Sequence, residues 1–297
     1  MPTWPDDASG APFVVYGYIK RTGMIFGNPH RHFRRTDSTN ARARELIEAG
    51  ASHGTVVTAD EQTAGRGRQG RTWTAPPGKA LLYSAILRPL DERHLLLPLA
   101  VPLAVCEVAE ELAPDVECAI KWPNDIWLDG RKLAGVLIEA KPQDGWAVIG
   151  VGLNLSIERD EFPSELRDTA ISILGVLREG RESPRRCLAK RPRQGDSRRE
   201  AAPDSTAEGG GGHSSRRLPT LLAATAALNR HLDHWATADR EAILAAWRSR
   251  DALRGREISW QDGSGVADGI DDAGDLLVRG VGGERFVLGA GEVHLRL

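Results

Sequence analysis

The chain is predicted to fold as an α+β protein: a mixed, largely antiparallel sheet with helices on one side, followed by a small C-terminal β-barrel. Three observations carry this expectation. Short apolar runs between residues 116 and 153 are separated by Asp129-Gly130 and Asp144-Gly145, and strands joined by such tight turns must run antiparallel. Apolar positions recurring at three and four residues mark helices before that run, at 92–112, and after it, at 221–235 and 240–247. Residues 256–297 alternate short apolar runs with Asp262-Gly263, Asp272 to Gly274 and Gly282-Gly283, the pattern of a small barrel. A doubly wound nucleotide-binding fold is disfavoured by the same turns.

Each element follows from local chemistry. Residues 1–33 are rich in Gly, Pro, Arg and His and read as an irregular lead-in with one apolar run at 13–19. Asp37-Ser38-Thr39-Asn40 supplies a hydroxyl N-cap for a helix over 41–49, which Gly50 ends. Residues 55–59, four of them β-branched, form a short strand, whereas 61–73 carry three glycines among arginines and form a loop. A buried strand at 80–87 precedes the long helix at 92–112, and strands follow at 116–122, 126–128, 133–140 and 146–153. From 178 to 217 the composition turns to Arg, Pro, Ser and Asp with four consecutive glycines, so 185–217 reads as a flexible insertion. The expected division is a lead-in at 1–33, a main domain at 34–250 and the barrel at 251–297.

Composition narrows the class. At 297 residues the chain is about twice the usual domain length. Its 39 basic and 41 acidic side chains give a formal charge of −2, and 41% of residues are hydrophobic, which argues against a chain that is basic or disordered throughout. The longest apolar stretch, 95–106, is too short to span a bilayer and contains Pro98 and Pro102. The acidic, proline-containing start lacks the basic and apolar regions of a secretory signal, and Cys106, Cys118 and Cys187 have no metal-ligand or pairing pattern. A cytoplasmic protein with reduced thiols and no membrane partner is expected. His30, His32 and His53 have no carboxylates at metal spacing and read as surface histidines, so no metal site is expected. Only six cations are lysines, and two of them, Lys121 and Lys132, lie close together where a compact ammonium suits the chemistry better than a guanidinium fork.

Three motifs carry chemistry. Gln62-Thr63-Ala64-Gly65-Arg66-Gly67-Arg68-Gln69-Gly70-Arg71 combines glycines, which let backbone N–H groups approach an anion, with Arg66, Arg68 and Arg71 as charge-assisted donors. It has neither a P-loop ending nor dinucleotide spacing, and by itself it equally suits a solvated basic loop or an RNA-binding Arg-Gly segment. Lys121-Trp122-Pro123-Asn124-Asp125, followed by Lys132-Leu133-Ala134-Gly135, sets a lysine at the end of an apolar strand beside a rigid corner, where the alternative is a plain strand end and turn. In Gly150-Val151-Gly152-Leu153-Asn154, two strand glycines mark either a close approach or a bulge, with Asn154 available to hydrogen-bond a ring or ribose.

In this order, after Asp37-Ser38-Thr39-Asn40 and before a small barrel, these motifs resemble the biotin protein ligases over residues 34–174 and 221–297. The resemblance implies a class II synthetase-like (biotin ligase-like) core with an SH3-like C-terminal barrel. It also implies an ATP-dependent enzyme that converts biotin to biotinyl-5′-adenylate, releases pyrophosphate, and biotinylates a lysine of a biotin carboxyl carrier protein, with Mg²⁺ arriving with ATP. Ser38, Thr39, Asn40 and Gln62 match the segment that binds the biotin head group, and Arg66, Gly67 and Arg68 the loop that closes over biotin and adenylate. Lys132 matches the lysine at the activated carboxyl, Lys121 falls beside the α-phosphate, and Lys132, Lys121 and Arg68 form the expected catalytic set. Arg71, Asn124, Gly135 and Asn154 fall on the nucleotide side. Repressor members carry an N-terminal winged helix that this sequence does not show, so no DNA partner is expected, and a homodimer is left open.

Two rival readings remain at the level of sequence. A lipoate or octanoyl ligase or transferase shares the core but fits the arginine-glycine loop and the barrel less well. A nucleic-acid-binding module would use the Arg-Gly loop and predicts steeply salt-dependent oligonucleotide binding without pyrophosphate release. Deleting residues 190–217 is expected to leave ligation intact; a folded but inactive deletion variant, measured by carrier biotinylation, would contradict the reading of that segment as a linker.

Overall fold

The computed structural model describes residues 14–15, 25–182, 220–289, 291 and 293–295. In chain order these form β1 (Val14–Val15), β2 (His30–Thr36), α1 (Thr39–Glu48), β3 (Val56–Gln62), β4 (Ala80–Leu87), α2 (Leu97–Leu112), β5 (Ala119–Lys121), β6 (Asp125–Leu128), β7 (Arg131–Lys141), β8 (Trp146–Asn154) and α3 (Ile173–Glu182). There follow α4 (Leu221–Thr237), α5 (Arg240–Ser249), β9 (Glu257–Trp260), β10 (Gly263–Ile270), β11 (Leu276–Arg279), β12 (Arg285–Leu288) and β13 (His294–Leu295). The first eight strands make one sheet in the order β1-β2-β3-β4-β8-β7-β6-β5. Only β2 and β3 pair in parallel; the other neighbours are antiparallel, as the turns require. At one turn Asp129 and Gly130 adopt φ of 49° and 76°, the left-handed pair that a two-residue hairpin needs.

Centrality follows hydrophobicity. β4, Ala-Leu-Leu-Tyr-Ser-Ala-Ile-Leu, is buried along its whole length and pairs with β8 over eight residues. A strand apolar on both faces must be covered on both, and it is. On one face α2, α4 and α5 pack Leu103, Leu228 and Trp247 into the main core with Tyr83, Leu87 and Ile149. On the other, Ala43 and Ile47 of α1 pack on Val57, Ile86 and Val148. The expected one-sided arrangement is therefore corrected, because the narrow apolar stripe of α1 seats on the face opposite the long helices. α1 is only ten residues long and leaves the rest of that face open beyond its N-terminus.

Several boundaries also move. The sheet begins inside the expected lead-in, with β1 and β2, and β3 continues to Gln62 because Arg35 and Thr36 pair with Glu61 and Gln62 through backbone that needs no apolar side chain. The long helix starts at Leu97, after a separate 3₁₀ turn at Glu92–His94. The connection before β8 is a 3₁₀ turn, Pro142–Asp144, closed by Gly145 at φ 69°, in place of a two-residue hairpin. The start of the expected linker, 178–182, belongs to α3, and the insertion at 185–217 lies outside the described residues. Among the described residues no helix is long and apolar enough to cross a membrane.

β9 to β13 form a second, antiparallel sheet in the order β12-β11-β10-β9-β13. It is tied to the first at the β5 edge, where Ile120 N donates to Arg250 O at 2.7 Å and Ala252 N to Ile120 O at 2.9 Å. Trp122 Nε1 donates to Gly274 O at 3.0 Å, so a β10–β11 turn docks on the Trp-Pro corner. Beneath this junction Arg250 forms a fork with Glu110, Nη2 to Oε2 at 2.9 Å, while Cys118 N donates to Glu110 Oε1 at 3.0 Å. Arg250→Ala leaves a half-buried carboxylate without its counter-ion and is expected to cost about 2–4 kcal/mol in urea denaturation; a loss below about 0.5 kcal/mol would show that the fork does not hold the junction.

Candidate active site

The face of the sheet that α1 leaves open becomes a cleft because β7 and β8 present bare backbone there. A Cβ on Gly152 would lie 2.4 Å from Trp73 Cε2, and one on Gly150 would lie 2.4 Å from Asn40 Oδ1. A Cβ on Gly135 would lie 3.3 Å from Trp73 Cζ3 and 3.4 Å from Lys132 Cε. The cleft opens to solvent and holds a cavity of ≈ 130 Å³. Ser38, Thr39, Asn40, Gln62, Arg66, Gly67, Arg68, Arg71, Lys121, Asn124, Lys132 and Gly135 all line it, which brings together every predicted site residue but Asn154.

At one end lies the N-terminus of α1. Ser38 has the extended N-cap backbone, φ −156°, yet its side chain makes no cap bond. Gln62 does the work from β3, its Oε1 accepting from Thr39 N at 2.7 Å and Thr39 Oγ1 at 3.0 Å. Ser84 Oγ of β4 lies 2.8 Å from Thr39 Oγ1 and 2.6 Å from Asn40 Oδ1, deep in the sheet. The turn into the helix is held by Asp37, which accepts from Ser38 N at 2.6 Å, Thr36 Oγ1 at 3.0 Å and the Arg42 guanidinium at 3.2 and 3.1 Å. Partial burial pushes the Asp37 pKa up, but the Ser38 N–H, Arg42 and Thr36 together outweigh it and hold the carboxyl below its ordinary value.

One wall is the arginine-glycine segment, which is more ordered than a plain loop. Trp73 N donates to Gly65 O at 3.0 Å, Gly67 N to Arg71 O at 2.7 Å and Arg71 N to Arg68 O at 3.1 Å. With Gln69 and Gly70 at φ 54° and 75°, the chain doubles back on itself and turns Arg66, Arg68 and Arg71 toward the cleft as a set. Gly65 is required because a Cβ there would sit 2.4 Å from Trp73 O.

The opposite wall is the lysine corner. The Trp122–Pro123 bond is cis, and Asn124 fastens the corner to β7, donating Nδ2 to Val136 O at 2.8 Å while Val136 N donates to Asn124 O at 3.0 Å. Lys132 reaches the cleft through a bulge in the β6–β7 pairing, which skips Leu133 and brings Lys132 to the same side as Gly135 despite their odd spacing. Its Nζ lies 2.7 Å from Asp125 Oδ1 and 5.8 Å from the Trp73 ring centroid. Lys121 Nζ stands 5.2 Å from the Trp127 ring centroid. Two lysines and three arginines around one cleft suit a polyanionic ligand.

Asn154 departs from expectation. It faces the same side of β8 as the two glycines, but there Ile157, Phe162 and Ala170 build a roof, and Asn154 is buried beneath it, donating Nδ2 to Ile171 O at 3.0 Å. The histidines are also corrected. His30 Nε2 and His32 Nδ1 share Thr58 Oγ1 at 2.8 and 2.9 Å, and His32 Nε2 lies 3.4 Å from Asp60. Burial, aided by the neighbouring His32, pushes the His30 pKa down to about 4. His53 Nδ1 accepts from Arg88 N at 3.2 Å and its ring packs edge-on to Phe26. Among the described residues, no three His, Cys, Asp or Glu side chains gather as a metal cage. The sequence reading missed Trp73, whose buried Nε1 has no partner among the described residues, and Ser84, Asp125 and Glu139. Ser84 left a trace as the lone serine in an apolar strand, and Asp125 as the last residue of the lysine motif.

Residues 32–155 match the model of the biotin/lipoate A/B protein ligase family. The chain is 40% identical over 141 residues to the bifunctional ligase/repressor BirA of Bacillus spizizenii, covering 46% of this chain but 43% of that protein, less than half its length. It is 34% identical over 276 residues to the biotin–[acetyl-CoA-carboxylase] ligase of Mycobacterium tuberculosis, covering 88% of this chain and 87% of that one. Among solved structures, the biotin protein ligase of Aquifex aeolicus in complex with biotin and ATP superimposes with a TM-score of 0.63 at 26% identity, covering 90% of this chain and 98% of that chain.

The Asp37 geometry has a pH signature. Because its folded pKa lies below the unfolded value of about 3.9, the stabilisation is complete above that value and is lost as pH falls through the folded pKa. Below about pH 4 the melting temperature of the wild type is expected to fall more steeply than that of Asp37→Asn; parallel acid limbs would show that Asp37 does not anchor the turn.

Proposed function

Since the chain belongs to the biotin–[acetyl-CoA-carboxylase] ligase family, we propose that it joins biotin and ATP to biotinyl-5′-adenylate and transfers the biotinyl group to a lysine of a biotin carboxyl carrier protein. The observation that carries this reading is the meeting, in one glycine-floored cleft, of a hydroxyl- and amide-lined end with an arginine loop and two lysines. A ureido ring offers two N–H donors and a carbonyl acceptor, and Ser38, Thr39, Asn40 and Gln62 supply short partners of both kinds. The charged walls suit the carboxylate tail and the triphosphate.

In the first step a biotin carboxylate oxygen attacks the α-phosphorus, the bond to the β-phosphate oxygen breaks, and pyrophosphate leaves. Both reactants are anions, so the protein's task is to bring them together and neutralise the charge between them. We assign Lys121 to the α-phosphate, Lys132 to the carboxyl region, Arg66 and Arg68 to anion contacts over the adenylate, and Arg71, Asn124 and Gly135 to the nucleotide side. Asp125 and Trp73 hold the Lys132 ammonium in place. In the second step the amine of the carrier lysine attacks the biotinyl carbonyl and AMP leaves, so no side chain of this protein becomes a covalent nucleophile. Mg²⁺ accompanies ATP as part of the nucleotide substrate. The reaction is assigned to the cytoplasm, with the ligase core running from β2 to residue 250 and 251–297 as the barrel.

Pyrophosphate release from ATP, measured with biotin against lipoate, tests this directly. Release is expected with biotin and not with lipoate, and the reverse would favour a lipoate ligase. Lys132→Ala is expected to lower kcat by about 10²- to 10³-fold, the effect of removing one preorganised charge at the reacting centre. Arg68→Ala is expected to shorten the half-life of the bound adenylate, since the loop then covers the mixed anhydride less tightly. An unchanged half-life would remove Arg68 from this role.

A further inference from the structure

Glu139 stands on β7, outside every motif of the sequence, and its carboxylate bridges the strand to α1. Oε2 accepts from Asn40 Nδ2 at 2.7 Å, and Oε1 accepts from Arg44 Nη1 at 2.5 Å. On its other side the Asn40 amide places Oδ1 2.6 Å from Ser84 Oγ and against the bare backbone of Gly150. Asn40 is 4% exposed and Ser84 fully buried, so a mismatched donor or acceptor here has no water to turn to.

A primary amide can sit either way round, with oxygen and nitrogen exchanged. Ser84 cannot choose between the two, because a hydroxyl both donates and accepts. A carboxylate can only accept. We infer that Glu139 is a positioning residue for biotin recognition: it fixes which way round the Asn40 amide faces, and through it the donor and acceptor order of the head-group end of the cleft.

The proton count follows from that one choice. With Asn40 Nδ2 committed to Glu139, Asn40 Oδ1 faces Ser84 and the single Ser84 hydroxyl proton goes to it. The Thr39 hydroxyl proton is then divided between Ser84 Oγ, 2.8 Å away, and Gln62 Oε1, 3.0 Å away. Two hydroxyl protons thus serve three oxygen–oxygen contacts, and their order is set from outside the pocket. Arg44 completes the device by occupying the other carboxylate oxygen, which leaves Oε2 to Asn40. The inference rests on the reading of this cleft as the biotin site.

The test is the isosteric variant Glu139→Gln. A glutamine has one acceptor and one donor group, and the Arg44 guanidinium, which only donates, claims the acceptor. The glutamine NH₂ then faces Asn40 and turns its amide round. In biotin-dependent pyrophosphate release, Glu139→Gln is expected to raise KM for biotin roughly ten- to a hundredfold, with kcat, KM for ATP and the melting temperature close to wild type. Adding Arg44→Met frees the glutamine oxygen for Asn40 and is expected to bring KM for biotin back toward wild type. A role in packing alone predicts no change for Glu139→Gln and no rescue by Arg44→Met, and either result in an active enzyme would overturn the inference. A wild type without biotin-dependent release would instead overturn the functional reading, and this inference with it.

Discussion

At Gly150 and Gly152 the central strand β8 offers bare backbone to the face of the sheet that carries α1, and the layout of the cleft depends on it. Asn40 fills the space over the first glycine and the Trp73 indole the space over the second. A glycine inside a strand weakens it by roughly 0.5–1 kcal/mol relative to alanine. β8 tolerates two because it lies between β4 and β7 and is paired along both edges. With side chains at these positions, the helix N-terminus, the indole and the Lys132 ammonium could not converge on one floor.

The parts that converge come from distant stretches of chain, each held by its own local device. Gln62 caps α1 across a strand gap, the arginine loop is closed by its own backbone bonds, and the lysine corner is stitched to β7 through Asn124. The second sheet reaches the same place through Trp122, whose ring nitrogen holds the turn at Gly274. That turn and the residues near Val293 border the space beside the arginine loop, so the C-terminal strands contribute to the walls of the cleft. Arg66, Arg68 and Arg71 on one side and Lys121 and Lys132 on the other place positive charge on both walls. Asp125 beside Lys132 supplies a counter-charge on the lysine side.

Much of this was legible in the sequence where chemistry is local. Asp129-Gly130 announced its hairpin because Asp-Gly readily adopts the left-handed pair of a type I′ turn. The arginine loop and the lysine corner stood out because glycines, arginines and scarce lysines cluster there, and the structure sets both on one cleft. What was not legible depends on how elements stack. The side of the sheet taken by α1 is decided by packing of Ala43 and Ile47, which no periodicity reveals. Asn154 has the alternation that points to the cleft, but the segment that roofs it lies at 157–170, beyond any strand pattern. Lys132 lines the cleft only because of a bulge, and Trp73, Ser84 and Glu139 gain their roles from neighbours between 44 and 99 positions away.

The central claim is that this cleft makes an activated biotinyl group, keeps it and then hands it on. The most direct measurement is a chase with ATP labelled at the α-phosphate. Enzyme, biotin and labelled ATP are mixed without carrier, the protein is separated from free nucleotide, and carrier protein is added. The label is expected to stay with the protein as adenylate in about one equivalent and to leave as AMP as the carrier becomes biotinylated. Label that never leaves ATP, or that is lost as AMP before carrier is added with no biotin transferred, would contradict it.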